Sequence, residues 1–273
     1  MAPRRRTIPG FGLTFGITLA WLGLLILLPL AALFLKAAGL GAQEWQALLS
    51  SPRVVSAFKL SFGTSALAAA ANVALGLLVA WVLVRYRFPG RRVLDAAVDL
   101  PFALPTAVAG ITLTTLYAPK GWIGRWLAEI GIQGAFTPFG IFIALTFIGF
   151  PFVVRTVQPV IEELSRELEE SAATLGAGRW TTFRRVNLPL LLPALATGFT
   201  LAFARALGEY GSVIFISGNL PRKTEIVPLL IVAQLEQFRY QAAAAIAAAM
   251  LLLSFVLLVA INLFQRRLDW RSR

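Results

Sequence analysis

Six stretches of this chain run for about 20 residues or more with almost no Lys, Arg, Asp or Glu, and that is the length a helix needs to cross a hydrocarbon core. They lie at Thr7–Leu35, Leu60–Val84 and Leu100–Pro119, within Ile130–Val154, from Val186 past Arg205 and Glu209 to Ile216, and within Tyr240–Gln265. None alternates as an outer-membrane barrel strand does, and backbone in lipid must satisfy its polar groups internally. The fold class is therefore an all-α integral membrane protein with six transmembrane helices. The first run follows MAPRRR but exceeds the apolar core of a secretory signal and lacks a clear cleavage site, so it is expected to stay as a membrane helix. Its Gly12 and Gly16 make a GxxxG pair, a spacing that apolar helices carry often by chance.

Six spans place both termini on one side, and basic residues decide which. The N-terminus, the second loop (Arg85, Arg87, Arg91, Arg92), the fourth loop (Arg155, Arg166, Arg179, Arg184, Arg185) and the C-terminus (Arg266, Arg267, Arg271, Arg273) hold 16 of the 25 Lys and Arg, against 8 on the other side. Both termini are thus expected in the cytoplasm. The net charge of +12 sits in short clusters between apolar runs, where it reads as a topology signal rather than a nucleic-acid face.

The sequence holds no Cys and no His, which removes disulfides, Cys/His metal sites and any imidazole base. An intramembrane enzyme would have to work with carboxylates, of which only Glu209 lies well inside a span. GNLPRKT (Gly218 to Thr224) lacks the Gly before Lys of a phosphate loop, so any ATP hydrolysis belongs to another chain.

Against this background EELSRELEESAATLGAGRW, from Glu162 to Trp180, is anomalous, because it places five carboxylates between two apolar runs. Ile161, Leu164, Leu168, Ala172 and Leu175 recur at steps of three and four and line one face of a short helix, and Gly176 stands where a helix C-cap is expected. Five carboxylates with few basic residues suit a bilayer surface poorly. An apolar face with small residues held outside the membrane suits a cleft on another protein.

Glu170, Ser171, Ala172, Gly176, Leu188 and Pro189 resemble the EAA motif of ATP-binding-cassette (ABC) importer permeases: Glu-Ala-Ala, three residues, Gly, eleven residues, Leu-Pro. Ser171 replaces the usual second Ala, small for small. The resemblance implies a coupling helix entering a groove on the ATPase. RYRFPGRRVLDAAVDLPFALPTAVAG (85–110), FPFVVRTVQPVIEEL (150–164) and RALGEYGSVIFISGN (205–219) extend it to the CysT type of sulfate/thiosulfate permease over nearly the whole chain. Molybdate permeases share much of the last stretch, whereas DLPFALPTAVAG and TEIVPLLIVAQLEQF favour sulfate. The resemblance implies a type I ABC importer permease in the cytoplasmic (inner) membrane. It would work with an ATPase dimer that binds ATP and Mg, a CysW-like second permease and an extracytoplasmic sulfate-binding protein, with no cofactor on this chain. The implied layout is 1–54 for the first helix and external loop, 55–266 for the permease core with its coupling loop at about 155–189, and 267–273 for a cytoplasmic tail. A molybdate/tungstate importer is the alternative substrate reading. An ATP-independent carrier would leave the docking helix without a purpose, and no inverted repeat with paired broken helices is evident.

Two intramembrane features remain open between path and packing. Pro101 and Pro105 interrupt the third run and, with Thr106 and Gly110, form either a stretch of path or gate or an ordinary kink. Arg205 and Glu209 are four apart, so they share a helix face away from lipid, either as a structural pair or as an anion contact.

Overall fold

The computed structural model describes residues 11–269, without the side chains of 264 and 266–269. The arginines of MAPRRR, Arg271 and Arg273 lie outside the described residues, as do the side chains of Arg266 and Arg267. In chain order the helices are α1 (Phe11–Ala38), α2 (Ala42–Leu49), α3 (Pro52–Arg85), α4 (Arg91–Val98), α5 (Leu100–Ala103), α6 (Thr106–Tyr117) and α7 (Gly124–Glu129). Beyond these come α8 (Pro138–Glu163), α9 (Arg166–Thr174), α10 (Arg179–Leu207), α11 (Val213–Ser217), α12 (Val227–Glu236) and α13 (Tyr240–Asp269). Five of these, α1, α3, α8, α10 and α13, are long and apolar enough to cross a membrane.

The third apolar run is not one of those five. Proline lacks the N–H that a helix interior needs and pushes the preceding residue toward extended backbone. Pro101 follows the break between α4 and α5 at Asp99, and before Pro105 the chain opens at Leu104 (φ −86°, ψ 133°). What remains unbroken is α6, with 12 residues, or about 18 Å of rise against a core of about 30 Å. The fifth run also ends early: α10 stops at Leu207, Gly208 caps it, and Glu209 lies in the turn beyond. The single continuous helix expected to carry both Arg205 and Glu209 is therefore corrected to a helix end and the turn after it.

The long helices start where local chemistry satisfies their free N–H groups. Ser51 Oγ accepts from Val54 N at 3.4 Å ahead of Pro52, and Thr137 Oγ1 accepts from Gly140 N at 3.3 Å ahead of Pro138. Two helices contain a wide π turn, at Gly23–Leu27 in α1 and at Phe183–Asn187 in α10, and each is followed at once by Leu-Pro. In each the Leu N–H reaches back five residues, to Gly23 O and to Phe183 O. The next residue, proline, cannot bond the carbonyl four residues before it, so the wide turn shifts the ladder where that gap falls.

The core is the packing of α3, α8 and α10 around Val153. A methyl added at Gly76 would sit 2.8 Å from Val153 Cγ1, and one at Gly198 would sit 3.1 Å from its Cα. Small residues thus let the backbones close up, as helix association in lipid requires. Leu83, Val157, Ile161, Leu191 and Phe203 are among the larger side chains of this cluster. Against it, α13 packs through Met250, Leu257 and Ile261. α1 touches α13 through Ala37, Ala244, Ala245 and Ala248 and exposes most of its remaining surface. α12 is short and well buried on one side: Val227 N donates to Ser61 Oγ of α3 at 2.8 Å, and Arg53 grips Glu225 through Nε and Nη2 at 2.7 and 2.6 Å.

Candidate functional site

The acidic segment is a separate helix, α9, outside the long spans. Its start is fixed by Ser165, whose Oγ accepts from Glu167 N at 3.1 Å, with Glu167 and Glu169 in the first turn where the helix dipole favours negative charge. Its end is a Schellman cap: Gly176 N donates to Ala173 O and Ala177 N to Ala172 O, both at 2.9 Å, and Gly176 takes φ +83°. The expected position of Gly176 at the cap matches this geometry. The expected apolar face does not extend as far as the spacing suggested. Ile161 belongs to α8 and is buried in the core, and Leu164 caps that helix, because the chain breaks at Leu164–Ser165. The face of α9 is left with Leu168, half-buried Ala172 and the open Leu175, which is 88% exposed.

Three residues that spacing did not single out hold α9 in place. Glu169 Oε1 accepts from Arg85 Nη2 at 2.9 Å and from Asn187 Nδ2 at 3.2 Å, so the helix is tied to the last residue of α3 and to the π turn of α10. The Arg85 guanidinium lies over the Trp81 ring at 5.4 Å, Trp81 meets Phe183 edge-on, and Trp180 stacks on Phe183. Leu188 and Pro189 of the EAA-like spacing follow the π turn of α10, with Leu188 packed on the core and not on the exposed face of α9. Glu170 and Ser171 are exposed on α9. Beside it opens a cleft of about 1010 Å³ whose lining includes Trp81, Arg85, Glu169, Glu170, Ala173 and Trp180.

Arg155 does not belong to this loop, although the charge count put it there. It lies inside α8 and binds two carboxylates of α4 and the residue after it: Nη1 to Asp95 Oδ1 and Nη2 to Asp99 Oδ2, each at 2.6 Å, with Nε to Asp99 Oδ1 at 2.9 Å. Its partners are distant in sequence, and only the fold brings them together.

The second candidate region is the turn after α10. Glu209 is 2% exposed and uses both oxygens: Oε2 pairs with Arg205 Nη1 at 2.6 Å, and Oε1 accepts from Ser212 N at 2.9 Å and Ser212 Oγ at 3.0 Å. The turn so formed packs backbone to backbone on α6. A methyl at Gly110 would come 2.5 Å from Ser212 O, and one at Gly211 would come 2.2 Å from Thr106 Oγ1. Thr106 and Gly110, just after the Pro105 break, therefore meet the Arg205/Glu209 turn. Pro101 stands apart in α5, whose Phe102 packs edge-on against Phe152 of α8 at 5.1 Å.

The proline-broken run packs on the Arg205/Glu209 turn, and the capped acidic helix α9 is tied to the ends of α3 and α10. The model of the family described as binding-protein-dependent transport system inner membrane component matches residues 72–273. The chain belongs to this family. It is 50% identical over 268 residues to the sulfate transport system permease protein CysT of Escherichia coli strain K12, covering 98% of this chain and 96% of that protein. It is 49% identical over 250 residues to the CysT protein of Synechocystis, covering 92% of this chain and 87% of that one. Among solved structures, a chain of a bacterial ABC transporter that imports the acidic polysaccharide alginate superposes with a TM-score of 0.78 at 19% identity, over 94% of this chain and 96% of that one. A chain of a bacterial alginate ABC transporter in complex with an alginate pentasaccharide-bound periplasmic protein gives 0.77 at 20% identity, over 94% of this chain and 95% of that one. The all-helical, multi-pass architecture of an ABC importer permease is thus established for this chain by family and fold.

Proposed function

We propose that this family member is the CysT-type permease of a sulfate/thiosulfate importer in the cytoplasmic membrane. The observation that carries the reading is the near full-length similarity, at 50% identity, to a protein named for sulfate transport. On this reading both termini and α9 are cytoplasmic. α9 enters a groove on an ATPase dimer, which binds ATP and Mg, and an extracytoplasmic sulfate-binding protein delivers the anion. A CysW-like permease supplies the other half of the path.

The geometry supports a division of labour within this chain. α9 presents Glu170, Ser171 and the Gly176 cap outward, while Glu169 ties it through Arg85 and Asn187 to two spans, so force on the helix reaches both. Gly176 faces open space, which leaves room for a partner's wall. At the other region Arg205 and Glu209 act first as a structural pair. The Glu209 charge is engaged on both oxygens and turned from the cargo, which removes the repulsion that a free carboxylate beside a sulfate path would create. Arg205 is 34% exposed on its side chain and keeps further N–H donors, which suit a passing tetrahedral oxyanion. Thr106 and Gly110 of α6, with Pro105 just before it, then form the stretch that must shift if the turn moves.

The test is the complex reconstituted in vesicles with its ATPase, second permease and binding protein, assayed for ATP hydrolysis and uptake with sulfate, thiosulfate, molybdate and tungstate. Sulfate or thiosulfate should stimulate both. Stimulation by molybdate and tungstate alone would transfer the chain to the alternative importer class, and uptake without an ATPase would abolish the coupled reading.

A further inference from the structure

We propose that the turn and short helix following α3 form a binding site for one anionic phospholipid, with the headgroup phosphate on Arg87, Arg91 and Arg92 and an acyl chain along α4. These arginines border a concavity of about 400 Å³, together with Phe88, Gly90 and Val93. Among the described residues none of the three guanidinium groups has an ion-pair partner, because the nearby carboxylates, Asp95 and Asp99, are both taken by Arg155. An uncompensated positive pocket results.

The chemistry of α4 selects a lipid over a free anion. A short helix at a water boundary ordinarily turns its charges outward and its apolar residues inward. Here the carboxylate of Asp95 is drawn inward to α8, while Val93 is 74% exposed and Leu94 38%, with Ala97 exposed on the same stripe as Val93. The exposed surface continues through Leu100 (50%) and Phe102 (54%). The arginines also begin two residues after Arg85, where the apolar span of α3 ends, which is headgroup depth. Guanidinium groups at that depth above an exposed apolar stripe match a phosphodiester with attached chains, as in phosphatidylglycerol, whereas inorganic phosphate would use only half of the surface. The inference is independent of the transported substrate and of which side of the membrane this end faces.

The experiment is native mass spectrometry of the assembled importer in detergent, titrated separately with phosphatidylglycerol, phosphatidylcholine and inorganic phosphate. Phosphatidylglycerol should bind at least about tenfold more tightly than phosphatidylcholine, since each arginine near an anionic headgroup is worth about fivefold. The triple substitution Arg87→Gln, Arg91→Gln and Arg92→Gln should weaken phosphatidylglycerol by on the order of a hundredfold, with the assembled complex still recovered because none of the three side chains is buried. Val93→Asp should weaken the lipid without touching the arginines. If inorganic phosphate displaces the lipid at equal concentration, the site is a free-anion site and the proposal fails. It also fails if the triple variant binds phosphatidylglycerol normally, or if its only defect is loss of the ATPase, which would make the loop a protein contact.

Discussion

Glu209 shows what a charge buried among apolar helices needs. One oxygen holds a guanidinium and the other closes a turn through Ser212, so the carboxylate both cancels a charge and sets the backbone that α6 packs on. Removing one member of such a pair leaves the other uncompensated, at a cost of about 3 kcal/mol. Arg205→Ala and Glu209→Ala should each lower the yield of detergent-extracted complex, and the double substitution should recover part of it; a double variant no better assembled than the singles would refute the pair. Measured beside yield, sulfate uptake separates the roles. A double variant that assembles yet fails to transport assigns the anion contact to Arg205, and one that transports normally excludes it.

Among the elements, α9 depends on its cap. Gly176 at φ +83° is a position where a β-branched residue is strained by about 1–2 kcal/mol, and a side chain there would project into open space and not into this chain. Gly176→Val should therefore insert normally but lose uptake together with ATPase association on pull-down. Wild-type uptake in that variant would remove the coupling role. Much of α9 is legible in the sequence, because capping and charge are local: Gly176, the acidic first turn and the exposed Glu170 and Ser171 all depend on neighbours in sequence. Its tether is not, since Arg85 and Glu169 are far apart in the chain and spacing carries no information about such pairs. The same reason hides Arg155 with Asp95 and Asp99. Ile161 misleads differently, since the three-four periodicity runs unbroken through Leu164 while the backbone does not. The early end of α10 is also hidden, because Gly208 sits among apolar residues and a glycine there reads as a packing position as readily as a stop.

At the scale of the molecule, the apolar runs forecast the all-helical membrane architecture well, and the prolines forecast the place where one run breaks. They give no hint that α12 seats against α3 through Ser61 and the Arg53–Glu225 clasp, because an apolar stretch of 10 residues between charged flanks reads simply as loop. The charge asymmetry makes a prediction about orientation. A reporter fused after Arg273 should be cytoplasmic, and one inserted near Pro221 should be external, by alkaline phosphatase and fluorescent-protein activity; the same side for both would break the six-crossing topology.

The π turn in α10 bears on that topology in a mechanical sense. A wide turn is a stored residue: tightening it to an α turn would lengthen the rod by about 1.5 Å and rotate everything beyond it by about 100°. Pro189 forbids the change, since its ring would collide with the carbonyl of Arg185, four residues back. The first turns of α10, whose Asn187 holds Glu169 of α9, are thus fixed in phase with the rest of the rod, so if α9 docks on the ATPase as proposed, its displacement would be delivered to α10 as the throw of a rigid crank and not absorbed as twist.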